Sequence, residues 1–211
     1  MSALYCIVAL PTIEHFFKYM KEHYPYDIST VFVFVWANKK YPQSAESLLE
    51  NSEYINIRSN KYIDFFYPGY DIETSANFDD ENFKVLTERV FIMSDFIRSI
   101  ETIENMSKWR YSGNAELLIL EYYHGKIKFD KAISINLDKL LSDNIIFSVN
   151  SFIEDIIRIA KSCNTTSEFS HKLNYSEAKL SIQDAIKKYL SDKLNGTHIG
   201  TFLCQNLETN T

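Results

Sequence analysis

Cysteine, proline and glycine are scarce in this chain, which has three, four and five of them. Cys6, Cys163 and Cys204 are an odd number, lie far apart and form no CxxC pair. A disulfide framework and a structural zinc site therefore both lack their sequence signature. We expect the three thiols to be buried and free.

Positive charge is also in deficit. The chain has 28 Asp and Glu against 22 Lys and Arg, and its net charge is -6. Proteins that coat nucleic acid or an anionic membrane need a concentrated basic surface. The composition therefore argues against extended nucleic acid and against a membrane as partners.

Long apolar runs are missing as well. No run approaches the roughly 20 residues that span a bilayer. Residues 1–11 carry an apolar run without a preceding basic region or a small-residue cleavage pattern, which is typical of a first strand and not of a signal peptide. We expect a cytoplasmic protein.

Reaction motifs are absent from the sequence. It contains no GxGxxG, Walker A, GxSxG or HExxH pattern, and its five histidines are scattered. No metal site is predicted. The sequence leaves the cofactor unknown and does not decide whether the chain is an enzyme.

The first elements of the chain are two strands around a helix. Residues 4–10 and 30–37 are apolar along their length, as in strands buried on both faces, and residues 12–24 between them have helical spacing. A strand, a helix and a strand within about 35 residues form the βαβ unit of a parallel sheet. We therefore predict an α/β fold with a mostly parallel central sheet and flanking helices, which is Rossmann-like.

Further elements are predicted from the same patterns. Helices are expected near Ser44, over 79–106 and from Ser148 or Ser151 to about 163. Strands are expected at 54–57, 62–66, 116–123 and 132–137, with a turn at 124–126 that makes an antiparallel excursion near 115–137.

The C-terminal part is predicted to be helical. Residues 164–170 are rich in Ser and Thr and are interpreted as a hinge or linker, and a last helix is expected over 175–194. The predicted organisation is an α/β domain at 1–163 and a helical extension at 164–211 that packs on it.

The most distinctive segment is 64–70, DFFYPGY, which sets Asp64 in an aromatic run. A carboxylate in such surroundings must be solvated, hydrogen-bonded, paired or protonated. Asp64 is therefore the best candidate for a catalytic base or a ligand contact. The alternative is that strand alternation points it to a solvated face.

A ligand site is predicted beyond the carboxyl ends of the parallel strands, where open α/β sheets bind their ligands. Thr12 at a helix N-terminus and Lys39 suit a phosphate, and Trp36 and Tyr70 suit a base. The alternatives are a plain helix cap for Thr12, a solvated loop for Lys39 and core packing for Trp36.

An interaction loop is predicted at Trp109, Arg110 and Tyr111, because Trp, Tyr and Arg are favoured at interface hot spots. The alternative is a connection between a helix and a strand whose rings cover the core.

A nuclease site would need Asp64, Glu116 and Glu121 to converge with a lysine, and the spacing of these residues gives a nuclease little support.

Residues 64–70, followed by 109–113 (WRYSG) and 116–119 (ELLI), resemble uncharacterised bacterial α/β proteins of mobile-element and phage-defence loci. The resemblance covers part of the chain and carries over no catalytic residues. It implies a component that acts with a partner protein encoded nearby.

Two functions are therefore expected. The first is a protein-interaction or sensor and regulatory component of a bacterial antiviral defence system, acting with a partner protein. The alternative is a Rossmann-like enzyme or binding protein acting on a nucleotide or nucleoside, with Asp64 as base or ribose contact.

Overall fold

A computed structural model describes residues 7–10, 12–38, 44–59, 62–70 and 90–175. Five strands form one sheet in the order β1-β3-β2-β4-β5. The strands are β1 (Ile7–Leu10), β2 (Thr30–Trp36), β3 (Asp64–Pro68), β4 (Glu116–Tyr123) and β5 (Lys126–Asn136). The helices in these ranges are α1 (Ile13–His23), α2 (Ser44–Glu50), α3 (Ser52–Ser59), α4 (Met93–Met106), α5 (Leu137–Ser142), α6 (Val149–Ala160) and α7 (Thr166–Tyr175).

The sheet is mixed, so the prediction of a mostly parallel, Rossmann-like sheet is wrong. Strand β3 pairs in parallel with β1 and β2, over four and three positions. Strand β4 runs antiparallel to β2 and to β5, over seven positions each. The misreading has a physical cause: a strand buried on both faces is apolar throughout, and that pattern does not reveal the direction of its neighbour.

Helices cover both faces of the sheet and make two cores. The alternation of β2 sends Phe32, Phe34 and Trp36 to one side, where they pack with α1 and α4 in what we call the aromatic layer. Val31 and Val33 point to the other side and pack with α2, α3, α5, α6 and α7 in the aliphatic layer. Both layers exclude water from β2, which explains its unbroken apolar sequence.

Several predicted elements are confirmed. The helix after Thr12, strand β2, the short helix from Ser44, strand β4 and the helix after Ser148 all lie where the patterns indicated. The Ser148 hydroxyl accepts a hydrogen bond from the backbone N–H of Ser151, which caps α6. The turn at His124 and Gly125 joins β4 and β5 into a hairpin.

The strand predicted at 54–57 is wrong, because these residues lie in helix α3. The linker predicted at 164–170 is also wrong, since α7 begins at Thr166. The Thr165 hydroxyl accepts from the N–H of Glu168, and Phe169 is fully buried. Glu168 Oε2 accepts from the N–H of Asn164, so these two side chains cap the first turn of a packed helix.

The long helix predicted over 79–106 is confirmed only from Met93 onward. Phe91 instead forms an isolated bridge with Tyr70, and the Ile92 N–H donates to the carbonyl of Gly69. The predicted loop at 71–80, the first part of that helix, the helix over 175–194 and Lys39 lie outside the described residues. The division at residue 163 stays a prediction.

Candidate interaction surface

The aromatic residues of the predicted ligand rim lie inside the protein. Trp36 is fully buried, with its ring 5.2 Å from that of Trp109 in a stacked arrangement. Tyr70 is also fully buried and donates its hydroxyl to the Ala37 carbonyl at 2.8 Å. In this arrangement neither ring presents a face to a ligand, so their base-stacking role stays a prediction.

Thr12 stands at the N-cap position of α1 without a hydrogen bond from its side chain to the helix backbone. Its hydroxyl lies 2.9 Å from His15 Nδ1, and the residue is 8% exposed. The sequence placed Thr12 correctly at the helix start. The structure shows no further group converging with it on an anion among the described residues.

The predicted interaction loop makes contacts within the chain. Trp109 is buried and its Nε1 donates to Ser134 Oγ at 3.3 Å. One guanidinium nitrogen of Arg110 donates to three carbonyls, of Glu104, Ser107 and Trp109, within 2.7 to 3.0 Å. The Glu104 and Ser107 carbonyls lie at the end of α4, where a cation is favoured by the helix dipole. The contacts support the alternative of a helix-to-strand connection.

Asp64 lies at the beginning of β3, beside Phe32, and thus at the opposite end of this strand from Tyr70. It is 2% exposed. Its Oδ2 accepts a hydrogen bond from the hydroxyl of Tyr24, and Tyr19 donates more weakly at 3.5 Å. Burial raises the pKa of Asp64 to about 6, against the lowering effect of the two hydroxyls. Asp64 therefore joins the end of α1 to β3.

Glu116 is the second buried carboxyl group. It pairs with Trp36 at the first position of β4, at the other end of the sheet from Asp64. Burial raises the pKa of Glu116 to about 7, and Ser112 hydrogen-bonds to the group. Within the described residues its Oε2 has no hydrogen-bond partner. Asp64 and Glu116 do not share a pocket, so a two-carboxylate centre is not formed.

Glu121, the third carboxyl of the nuclease reading, has a structural contact. Its Oε2 accepts from the N–H and the hydroxyl of Thr166, at 3.0 and 3.2 Å, and so holds the start of α7. It lines an open groove of about 510 Å³ with Lys126, Lys128 and Lys131. Since the Glu121 carboxylate already accepts from the Thr166 N–H at the start of α7, an anion at that position would meet a negative charge.

Helix α3 has an unusual distribution of side chains. It buries Ser52 and Ser59 completely, together with Ile55, on the side of the aliphatic layer. Its outer side leaves Ile57 67% exposed and Tyr54 47% exposed. A helix that buries serine and exposes isoleucine is not explained by the hydrophobic core of its own chain.

Polar contacts fix the outer side of α3 against α6. The Arg58 guanidinium donates two parallel hydrogen bonds to the Glu154 carboxylate, at 2.8 Å each. These bonds lower the pKa of Glu154, and the Glu154 carboxylate raises the pKa of the Tyr54 hydroxyl. The Nζ atom of Lys161, beyond the end of α6, lies 5.3 Å from the centre of the Tyr62 ring. We call Tyr54, Ile57, Arg58, Tyr62, Glu154 and Lys161 the α3 face.

Sequence reasoning missed the α3 face because residues 54–57 were interpreted as a strand. The available signal was the spacing of small and apolar residues: Ala45, Leu48, Ser52 and Ile55 continue one helical stripe, and all four are buried. Extending the helix from Ser44 along this stripe would have placed Tyr54 and Ile57 on the solvent side.

No protein-family model, curated protein or solved structure matches this chain. Within the described residues no helix is both long enough and apolar enough to cross a membrane.

Proposed function

We propose that this chain is a protein-binding component that acts together with a partner protein, and that the partner docks on the α3 face. The observation that carries the proposal is the inverted distribution on α3, with two serines buried and Ile57 and Tyr54 exposed. An exposed apolar patch rimmed by polar groups is typical of an interaction site.

The composition of the α3 face suits tight contact. Tyr and Arg are the residue types that carry most binding energy at interfaces. Arg58 is held in one geometry by its two bonds to Glu154, so little side-chain entropy is lost when a partner covers it. Burial of an exposed Ile side chain contributes about 2 kcal/mol, which a partner would gain at Ile57.

A binding role is also favoured over catalysis because the two carboxyl groups with raised pKa values are buried and lie far apart. Asp64 and Glu116, the carboxyl groups with raised pKa values, are buried at opposite ends of the sheet. Catalytic groups need to reach a substrate within hydrogen-bond distance. Each of these carboxyls is instead enclosed by its own chain.

Site-specific photo-cross-linking in the native cell tests the proposal. A benzophenone side chain at position 57 should give one dominant cross-linked protein, and the same group at Ile97 should not. Ile97 is a matched control because it is also apolar, helical and 47% exposed, on α4.

Two further measurements complete the test. Ile57→Ser should abolish co-purification of the cross-linked protein while changing the free energy of unfolding by no more than about 0.5 kcal/mol, as for an exposed site. Equal cross-linking at positions 57 and 97, or full retention of the partner by Ile57→Ser, would refute the proposal.

A further inference from the structure

Helices α2 and α3 follow one another directly, with Asn51 as a turn between them. The N–H of Asn51 donates to the carbonyl of Ser47 at 3.2 Å, and the N–H of Ile55 donates to the carbonyl of Asn51 at 2.9 Å. Each bond has the i to i−4 spacing of an α-helix, and the two bonds lie on either side of the turn. We call residues 44–59 the α2–α3 segment.

The solvent side of the α2–α3 segment carries a regular stripe. Glu46, Glu50, Glu53 and Ile57 follow at helical spacing and all four are exposed. They lie opposite the buried stripe that begins with Ala45 and Leu48. The stripe thus offers three carboxylates in a row that lead directly to the apolar side chain of the α3 face.

These three glutamates have no ion pair within the part of the chain that the structure describes. Glu46 and Glu50 are four residues apart, an arrangement of like charges that weakens a helix slightly. Arg58 and Glu154 neutralise one another and Lys161 is the remaining charged group of the α3 face, so the acidic surface is the stripe of Glu46, Glu50 and Glu53. A cationic partner would relieve this repulsion.

We infer that the occupant of this surface is an amphipathic helix with a basic flank, lying along residues 44–59. This rests on the proposed function. Its apolar side chains contact Ile57 and Tyr54, and its Lys or Arg residues face the three glutamates. A helix is favoured because the α2–α3 segment is helical on both sides of Asn51 and offers no sheet edge for an extended strand. A second copy of this chain is disfavoured because it would bring two acidic stripes together.

Two labelled model peptides test the inference on the full chain. Both are amphipathic helices of about 18 residues with the same leucine pattern, one with lysine and one with glutamate at the polar positions. Fluorescence anisotropy should show the lysine peptide binding at least about tenfold more tightly than the glutamate peptide. Glu46→Lys/Glu50→Lys/Glu53→Lys should invert this preference, and Ile57→Ser should weaken both peptides.

The matched control has the same change of charge elsewhere. Glu22→Lys/Glu101→Lys/Asp130→Lys replaces three exposed acids on α1, α4 and β5 and should keep the preference for the lysine peptide. If the control inverts the preference as well, the net charge of the chain decides and the inference is overturned. It is also overturned if neither peptide binds.

The remaining outcomes separate this inference from the proposed function. If both peptides bind equally and both depend on Ile57, the α3 face remains a binding surface while the basic partner is refuted. If binding is unaffected by Ile57→Ser, the inference and the use of the α3 face both fail.

Discussion

Asp64→Asn should change the pH dependence of stability more than any other single substitution on α1 or β3. Burial raises the pKa of Asp64 from 3.8 to about 6 in the folded chain. A raised carboxyl pKa means that the folded state binds the proton more tightly than the unfolded state. The resulting stabilisation is complete below the unfolded pKa and is lost as the pH rises through about 6.

The magnitude follows from the shift. Each pKa unit corresponds to about 1.4 kcal/mol, so a shift of about two units amounts to roughly 3 kcal/mol over the full range. Between about pH 4.5 and pH 8 the loss is about 2 kcal/mol, because the unfolded group is already partly ionised at the lower limit. No discount for solvent screening applies, since Asp64 is 2% exposed.

Asn at position 64 stays neutral throughout and still offers an oxygen to Tyr24 and Tyr19. The free energy of unfolding of Asp64→Asn, minus that of the unsubstituted chain, should therefore rise by about 2 kcal/mol between about pH 4.5 and pH 8. Urea unfolding followed by far-ultraviolet circular dichroism measures this difference. The slope with pH is the decisive quantity, because a constant offset from the altered hydrogen bonds cancels.

Asp130→Asn is the control, since Asp130 is exposed on β5. It should leave the free energy of unfolding within about 0.5 kcal/mol of that of the unsubstituted chain, as for an exposed site. The reasoning is refuted if the Asp64→Asn difference falls with rising pH. That result would mean that the hydrogen bonds from Tyr24 and Tyr19 stabilise the carboxylate by more than burial destabilises it.

Other substitutions test the remaining features of the fold. The free energy of unfolding of Glu116→Gln, minus that of the unsubstituted chain, should rise by roughly 2 to 3 kcal/mol between about pH 5 and pH 8, because burial raises the pKa of Glu116 to about 7. The same urea titrations measure this difference, and a difference that does not change with pH contradicts the burial argument. Gly69→Ala should cost about 2 to 4 kcal/mol, since φ is +82° and a Cβ would stand 2.7 Å from Phe96 Cβ. At Gly113 φ is +86° and a Cβ would have no neighbour within 4 Å, so Gly113→Ala should cost only the backbone strain of about 1 to 2 kcal/mol. Equal losses of stability at both glycines would show that the close approach of Phe96 to Gly69 contributes nothing. Thr165→Ala should destabilise α7 by about 1 kcal/mol, seen as faster amide exchange in α7 than in α6, and unchanged exchange would show that the Thr165 cap is dispensable.

Local patterns predicted the elements well where one periodicity was unambiguous. The alternating large and β-branched side chains of β2 and the apolar stripe of α6 each indicated the correct element. The direction of β4 was not predictable in the same way. Its side chains are buried whether it runs parallel or antiparallel to β2, so the apolar pattern does not indicate the direction.

The errors at α3 and α7 arose from signals that were present but outweighed. Tyr54 and Ile57 favour strands by composition, yet the buried serines of α3 keep the helical spacing of α2. Thr165 caps the first turn of α7 inside a Ser/Thr-rich run that resembled a linker. In both places tertiary contacts with α6 stabilise a helix that composition alone does not favour.

The candidate site was predictable only in its chemistry. The sequence left Asp64 either among apolar neighbours with a raised pKa or pointing to a solvated face, and the structure shows it buried. Its hydroxyl partners do not follow from the sequence, because Tyr19 and Tyr24 lie some 40 residues earlier and meet it only when α1 packs on the sheet. The α3 face required the helix assignment first, since exposure of Ile57 has meaning only on a helix.

The stacked pair of Trp36 and Trp109 gives the protein a built-in optical reporter. They are its only two tryptophans, and both belong to the aromatic layer. The α3 face lies across the sheet from them, against the aliphatic layer. Intrinsic tryptophan emission should therefore follow the opening of the aromatic layer and stay silent when a partner covers α3. Tryptophan emission can thus record folding while the anisotropy of a labelled peptide records docking in the same sample.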